Sequence, residues 1–297
     1  MSILSTINTM KINTALPQDN IFTNQLVGIA KPPNTLYYCG DLPSTPVKSV
    51  AIVGSRKPTP YGKSVTEKIV HTLAKHNVTI ISGLALGIDS IAHRAALKFN
   101  TPTIAVMARG LDEIYPASHF ALSRDIVKAG GALISTYPAG MPAQPYHFLE
   151  RNRIISGLAS VVIVTEAAVR SGTLNTASHA LEQGRDVFAV PGNITSPMSA
   201  GCNRLIRQGA QPLIDPSDIL SALGIKSNNN TNPTKAPARK NKTEQLIVDA
   251  ILAGAKDTNQ IIGATNINPS KIFITLSVLE IAGVIESSTE GVWTIGQ

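Results

Sequence analysis

The 297-residue sequence predicts an α/β protein: a doubly wound, mainly parallel sheet, followed by a small α+β unit. Three observations predict it. Between Ser49 and about Leu223, short runs rich in Val and Ile alternate with amphipathic stretches, the pattern of a parallel sheet covered on both faces. After a polar stretch at 225–242 the apolar spacing changes to helical segments and a hairpin. With 43% hydrophobic residues, the length accommodates one sizeable core and a smaller second one.

Strands are expected at 49–53, 78–82, 103–107, 132–135, 160–165 and 187–190. Helices are expected between and after them, at 61–76, 87–99, 118–129, 145–157, 173–183 and 202–208. The segment 225–242, IKSNNNTNPTKAPARKNK, has too little apolar content to order itself and reads as a flexible basic linker. Beyond it, helices at 243–253, 258–263 and 269–282 and a hairpin turning at 289–291 predict a winged-helix-like domain. The expected organisation is therefore an N-terminal extension (1–48), the sheet domain (49–224), the linker (225–242) and the winged-helix-like domain (243–297).

Charge narrows the function. The net charge of +7 divides into +6 over 1–224, +5 over 225–242 and −4 over 243–297, so a polyanion should meet the body and linker and be repelled by the tail. Cys39 and Cys202 stand far apart without a CxxC pattern, which supports neither a disulfide framework nor a zinc site and points to a reducing cytosol. The N-terminal residues lack the basic and apolar regions of an export signal, and no apolar run is long enough to span a membrane. A soluble cytoplasmic protein is expected.

The candidate site consists of turns that follow strands. Gly54, Ser55 and Arg56 end the first strand, where backbone N–H groups and a guanidinium fork can meet phosphate oxygens. The N-terminus of the next helix would add partial positive charge. Gly83 opens a second turn, GLALGID, in which Asp89 is read as a helix N-terminal acid and His93 as its hydrogen-bonded neighbour rather than as an acid/base pair. In HFLERNR, His147 to Arg153, one arginine of Arg151 and Arg153 should meet ligand while the other braces the loop, with Asn152 between them. Phe148 offers either a stacking plane for a base or a core contact. Ser171, Gly172 and Thr173 form a further turn that binds phosphate or caps its helix. No nicotinamide dinucleotide site is expected: GxGxxG is missing, and no acidic residue lies between Glu67 and Asp89. No cofactor or metal is expected either.

In order, these motifs (GSR at 54–56, SGLALGID at 82–89, HFxxRNRIISGL at 147–158, SGTLxTA at 171–177, EQGRDVFAVPG at 182–192 and SAGCNRLIRQGA at 199–210) resemble the DNA-processing protein A (DprA, or Smf) family from about Gly28 to Leu223. The resemblance implies an extended Rossmann-like fold that binds single-stranded DNA, loads the RecA recombinase onto it in natural transformation, forms a homodimer and has no catalytic residues. It places Arg56 and its turn, the 147–153 segment and the 171–173 turn in the strand-binding pocket. Two departures stand out: the helical domain that many members carry at the N-terminus is reduced or missing, and Leu149 replaces a usual proline.

Two other readings compete. A nucleotide phosphoribohydrolase of the lysine-decarboxylase-like group needs a glutamate three residues beyond Thr173, where this chain has Thr176. A duplex-reading regulator would use 268–280 as its recognition stretch, which holds one lysine and no arginine.

Overall fold

The computed structural model describes residues 11–225, 242–281, 284–287 and 292–295. The chain divides into two compact units, Met1–Ser227 and Asn228–Gln297. The expected linker and the turn at 289–291 fall largely outside the described residues.

The first unit holds a nine-stranded sheet. Its parallel centre is β3 (Ser49–Val53), β4 (Thr79–Ser82), β5 (Thr103–Met107), β6 (Ala132–Ser135), β7 (Val161–Val164), β8 (Asp186–Ala189) and the short β9 (Gln211–Pro212). Two further strands, β1 (Asn13–Ala15) and β2 (Leu36–Gly40), extend it, with β2 antiparallel to β6 and β1 antiparallel to β2. The spatial order is β1-β2-β6-β5-β4-β3-β7-β8-β9. Winding proceeds from β3 toward β6 on one side and from β7 toward β9 on the other, so the topological switch point lies between β3 and β7.

Alternation along β3 assigns its two faces. Ala51 and Val53 join a core built with α4 (Pro145–Gly157), α5 (Thr173–Glu182) and α6 (Ala200–Arg207). Val50 and Ile52 join a second core, with α1 (Pro60–Ala74), α2 (Ile88–Lys98) and α7 (Asp218–Ala222). The α3 helix (Phe120–Lys128) packs Leu122 and Ile126 into a third cluster with Leu84 and Met107. Burial on both faces explains why these strands read as continuous apolar runs.

The N-terminal segment is integrated into this sheet. Phe22, Leu26 and Ile29 belong to the same core as Ile154 of α4 and Leu158 just after it, and β2 pairs with β6 through Tyr37 to Gly40. The buried apolar groups and ladder bonds of 13–40 thus belong with the sheet, ahead of residue 49 where the sheet domain was expected to begin.

In the second unit α8 (Lys242–Leu252), α9 (Thr258–Thr265) and α10 (Pro269–Ile281) are followed by the antiparallel pair β10 (Ile285–Ser287) and β11 (Trp293–Ile295). Ile247, Ile251, Ile261, Ile272, Leu276 and Ile285 form its separate core. Helices followed by a two-stranded ladder match the winged-helix-like expectation.

Candidate nucleic-acid interface

The turns after β3 and β7 meet at the switch point. Ser55 N donates to the carbonyl of Glu166 (2.7 Å), and Thr173 Oγ1 donates to the carbonyl of Gly54 (2.9 Å), so the two turns are bonded across the gap between their strands. Above them lies a cleft of about 580 Å³. It is lined by Gly54, Ser55, Arg56, Phe148, Arg151, Asn152, Ser171, Gly172 and Thr173, together with Asp89, Arg170 and Thr176 among others. Gly83 lines a narrower slot beside it, which shares Arg56, Ala85, Phe148 and Arg151 with the cleft and adds Leu86, Arg109 and Tyr115. The structure therefore gathers ten of the twelve expected site residues into two adjoining concavities.

His147 and Arg153 are the two outside. His147 is 2% exposed, packs between Tyr137 and Tyr146, and accepts a bond from Gln144 N through Nδ1 (3.3 Å). This pair closes a reciprocal cap at the start of α4. Arg153 Nη1 donates to the carbonyls of Ala30 and Lys31 and so straps the N-terminal segment to α4.

Of the two arginines, Arg151 lines the cleft and Arg153 does not, and both guanidiniums bond backbone. Arg151 is 5% exposed and Nη1 donates to the carbonyls of Gly83 and Val106. Asp89, 7% exposed, receives the amides of Gly83 (3.1 Å) and Ala85 (3.4 Å). Burial raises the Asp89 carboxyl above its ordinary range despite the opposing field of Arg151, and burial lowers Arg151 despite Asp89. Gly83 thus gives its N–H to Asp89 and its carbonyl to Arg151. A Cβ on it would collide with the Arg151 guanidinium and stand 2.7 Å from Asp89 Oδ2, so close approach is what requires glycine there.

His93 does not pair with Asp89 as expected. Its Nδ1 bonds Thr103 Oγ1 (2.7 Å), and because that hydroxyl donates to the Ile80 carbonyl, the ring nitrogen is the donor.

The α1 N-terminus is likewise occupied from within. Thr59 caps it, and Thr59 N and Oγ1 donate to the Glu166 carboxylate at 2.8 and 2.7 Å. Two of the turns read as anion-binding are thus already met by the chain's own carboxylates. The α5 N-terminus differs, with no acidic residue in its first turn and no side-chain cap bond, while Ser171 Oγ only receives Thr173 N. Asn152 Nδ2 donates to the Gly172 carbonyl (3.3 Å) and holds this turn against α4.

What remains for a ligand is cationic and aromatic. Arg56 and Arg170 are exposed, and neither has an ion-pair partner among the described residues. Arg56 in particular pairs with no carboxylate among the described residues. Phe148 is half-buried, its ring 5.4 Å from Arg56 Cζ and 5.9 Å from Arg151 Cζ, with Tyr115 edge-on at 5.6 Å. Arg170 and Glu166 escaped the sequence reading. Arg170 had a signal in its position directly before Ser171; Glu166 had none, because its partners lie 107 residues away.

A profile of the family described as DNA recombination-mediator protein A matches residues 13–224. Protein Smf of Escherichia coli (strain K12) is 46% identical over 70% of the chain, and DNA processing protein DprA of Streptococcus pneumoniae is 41% identical over 68% of it. The match spans 56% of the Escherichia coli protein, 64% of a DprA from Mycobacterium tuberculosis and 71% of the pneumococcal protein. Among solved structures, pneumococcal DprA aligns with a TM-score of 0.66 at 40% identity, covering 71% of this chain and 74% of that one. DNA processing protein A from Helicobacter pylori, described for its single-stranded DNA binding mode, aligns at 0.63 with 32% identity, covering 72% and 96%. With the family profile covering residues 13–224 and relatives of that family matching the same region, the chain belongs to the DNA recombination-mediator protein A family.

Proposed function

We propose that this protein binds single-stranded DNA across the carboxyl edge of its sheet, without catalysis, and delivers it to the RecA recombinase. The observation that carries the reading is the cleft at the switch point. Two exposed arginines, Arg56 and Arg170, without carboxylate partners among the described residues, share it with a half-buried phenylalanine and a helix N-terminus that carries no acid. Guanidiniums and helix amides suit phosphates. The Phe148 ring suits an unpaired base, whose face a duplex would hide, and base-aromatic stacking contributes about 1–3 kcal/mol.

The site is poorly equipped for hydrolysis. Thr176 stands where a phosphoribohydrolase needs its glutamate, and the nearby carboxylates of Asp89 and Glu166 already receive two donors each from the chain. This supports a passive grip. Loading of RecA, homodimer formation, a role in natural transformation and a cytoplasmic location follow the family resemblance. No helix among the described residues is long and apolar enough to cross a membrane.

Titrating labelled single- and double-stranded oligonucleotides with the whole chain and with residues 1–224 tests this reading. Preference for the single strand, retained by 1–224, is expected. Equal affinity for duplex, loss of binding on truncation, or release of free base from nucleoside monophosphates would contradict it.

A further inference from the structure

We propose that Glu166 is the positioning residue of the strand-binding site, fixing the loop that presents Arg56; this rests on the reading of Arg56 as a phosphate contact. Glu166 is 2% exposed and lies two residues beyond the end of β7. Three bonds run to it from the loop that carries Arg56. Ser55 N reaches its carbonyl at 2.7 Å, Thr59 N reaches Oε2 at 2.8 Å and Thr59 Oγ1 reaches Oε1 at 2.7 Å. Arg56 therefore projects from an arch tied on both sides, at 55 and at 59, to one residue of the neighbouring strand's exit.

The surroundings are fitted to that carboxylate. A Cβ on Gly62 would stand 2.5 Å from Oε2, so only glycine lets the first turn of α1 close over it. Thr59 Oγ1, while donating to Glu166, accepts Gly62 N (3.3 Å) and so links the tie to the start of the helix. A carboxylate accepts at both oxygens, and one residue supplies both donors here; bonds to an ionised acceptor are roughly twice as strong as neutral ones. Negative charge beside the N-terminus of α1 is further stabilised by the helix dipole. The same geometry keeps phosphate from settling at that N-terminus, so the strand is directed onto the Arg56 side chain instead.

The test is a double-mutant cycle in the full chain, with labelled oligothymidylate titrated at several salt concentrations. Glu166→Ala is expected to weaken binding about tenfold, as Arg56→Ala does, since the loss of one charged contact is of that order. Each variant should lower the log–log salt slope by about 0.7. The double variant should bind no more weakly than Arg56→Ala alone. Glu166→Gln should stay within about threefold of the parent, because its amide accepts from Thr59 N and donates to Thr59 Oγ1. Should Glu166→Ala fail to fold, Thr59→Ala replaces it, with a smaller loss that is again absorbed by Arg56→Ala. Additive losses, or a parental salt slope in the Glu166 or Thr59 variant, would overturn the assignment of Glu166 while leaving Arg56 as a strand contact. An inert Arg56→Ala would remove the strand-binding reading of Arg56 itself, and this inference with it.

Discussion

Arg56 is exposed with no ion-pair partner among the described residues, Arg151 is buried and bonds the carbonyls of Gly83 and Val106, and Arg153 holds the carbonyls of Ala30 and Lys31. Three identical side chains thus do three different things, and substitution should separate them. Arg151→Ala should destabilise the fold by about 3 kcal/mol in chemical denaturation, because it strands two carbonyls and leaves the Asp89 carboxylate without its counter-charge. Arg56→Ala, at an exposed position, should change stability by less than about 0.5 kcal/mol. His93 gives a pH signature. Burial first, then the fields of His119 and Arg151, hold its imidazole down from 6.5 to about 3. A depressed folded-state value means that its stabilising contribution is complete above about pH 6.5 and is lost as pH falls toward 3. Between pH 7 and pH 5 this amounts to about 2 kcal/mol, which His93→Gln should remove from the pH dependence of unfolding. An unchanged profile in that variant would show that the ring does not titrate as its burial requires.

At the scale of elements, the strand, turn and helix repeats were legible because each parallel strand is buried on both faces and each amphipathic helix covers one of them. All six expected strands lie within one residue of those observed. The strands that escaped notice, β1, β2 and β9, lie at or near the sheet edges, and two of them hold three residues or fewer. The periodicity of LYYCG cannot announce that its partner is β6, almost a hundred residues away. The turns were legible as glycine- and hydroxyl-bearing exits from strands, but their roles were not. The Gly83 amide and the α1 N-terminus look free in sequence and become occupied only when the fold brings Asp89 and Glu166 to them. Gly83→Ala should therefore behave as an overpacking mutation that displaces Arg151, lowering stability by about 1–3 kcal/mol. A neutral result in thermal unfolding would mean that the guanidinium can move away at no cost.

At the scale of the whole molecule, positive charge is concentrated in residues 1–242 and the C-terminal unit is acidic. Within that unit α10 exposes Phe273, Ile274 and Val278 and has Lys271 as its one cation, too few to match the several arginines and lysines that duplex readers place on phosphates and guanines. On the proposed reading, polynucleotide affinity therefore belongs to the sheet domain. If exposed guanidiniums at the switch point hold the phosphates of an unpaired strand, the salt dependence of single-strand binding must report them. Relative to the parent chain, Arg56→Ala and Arg170→Ala should each lower the log–log slope by about 0.7, and the double variant by about 1.4, with affinity falling alike for all base sequences. A double variant that keeps the parental slope would show that these guanidiniums do not hold the strand's phosphates.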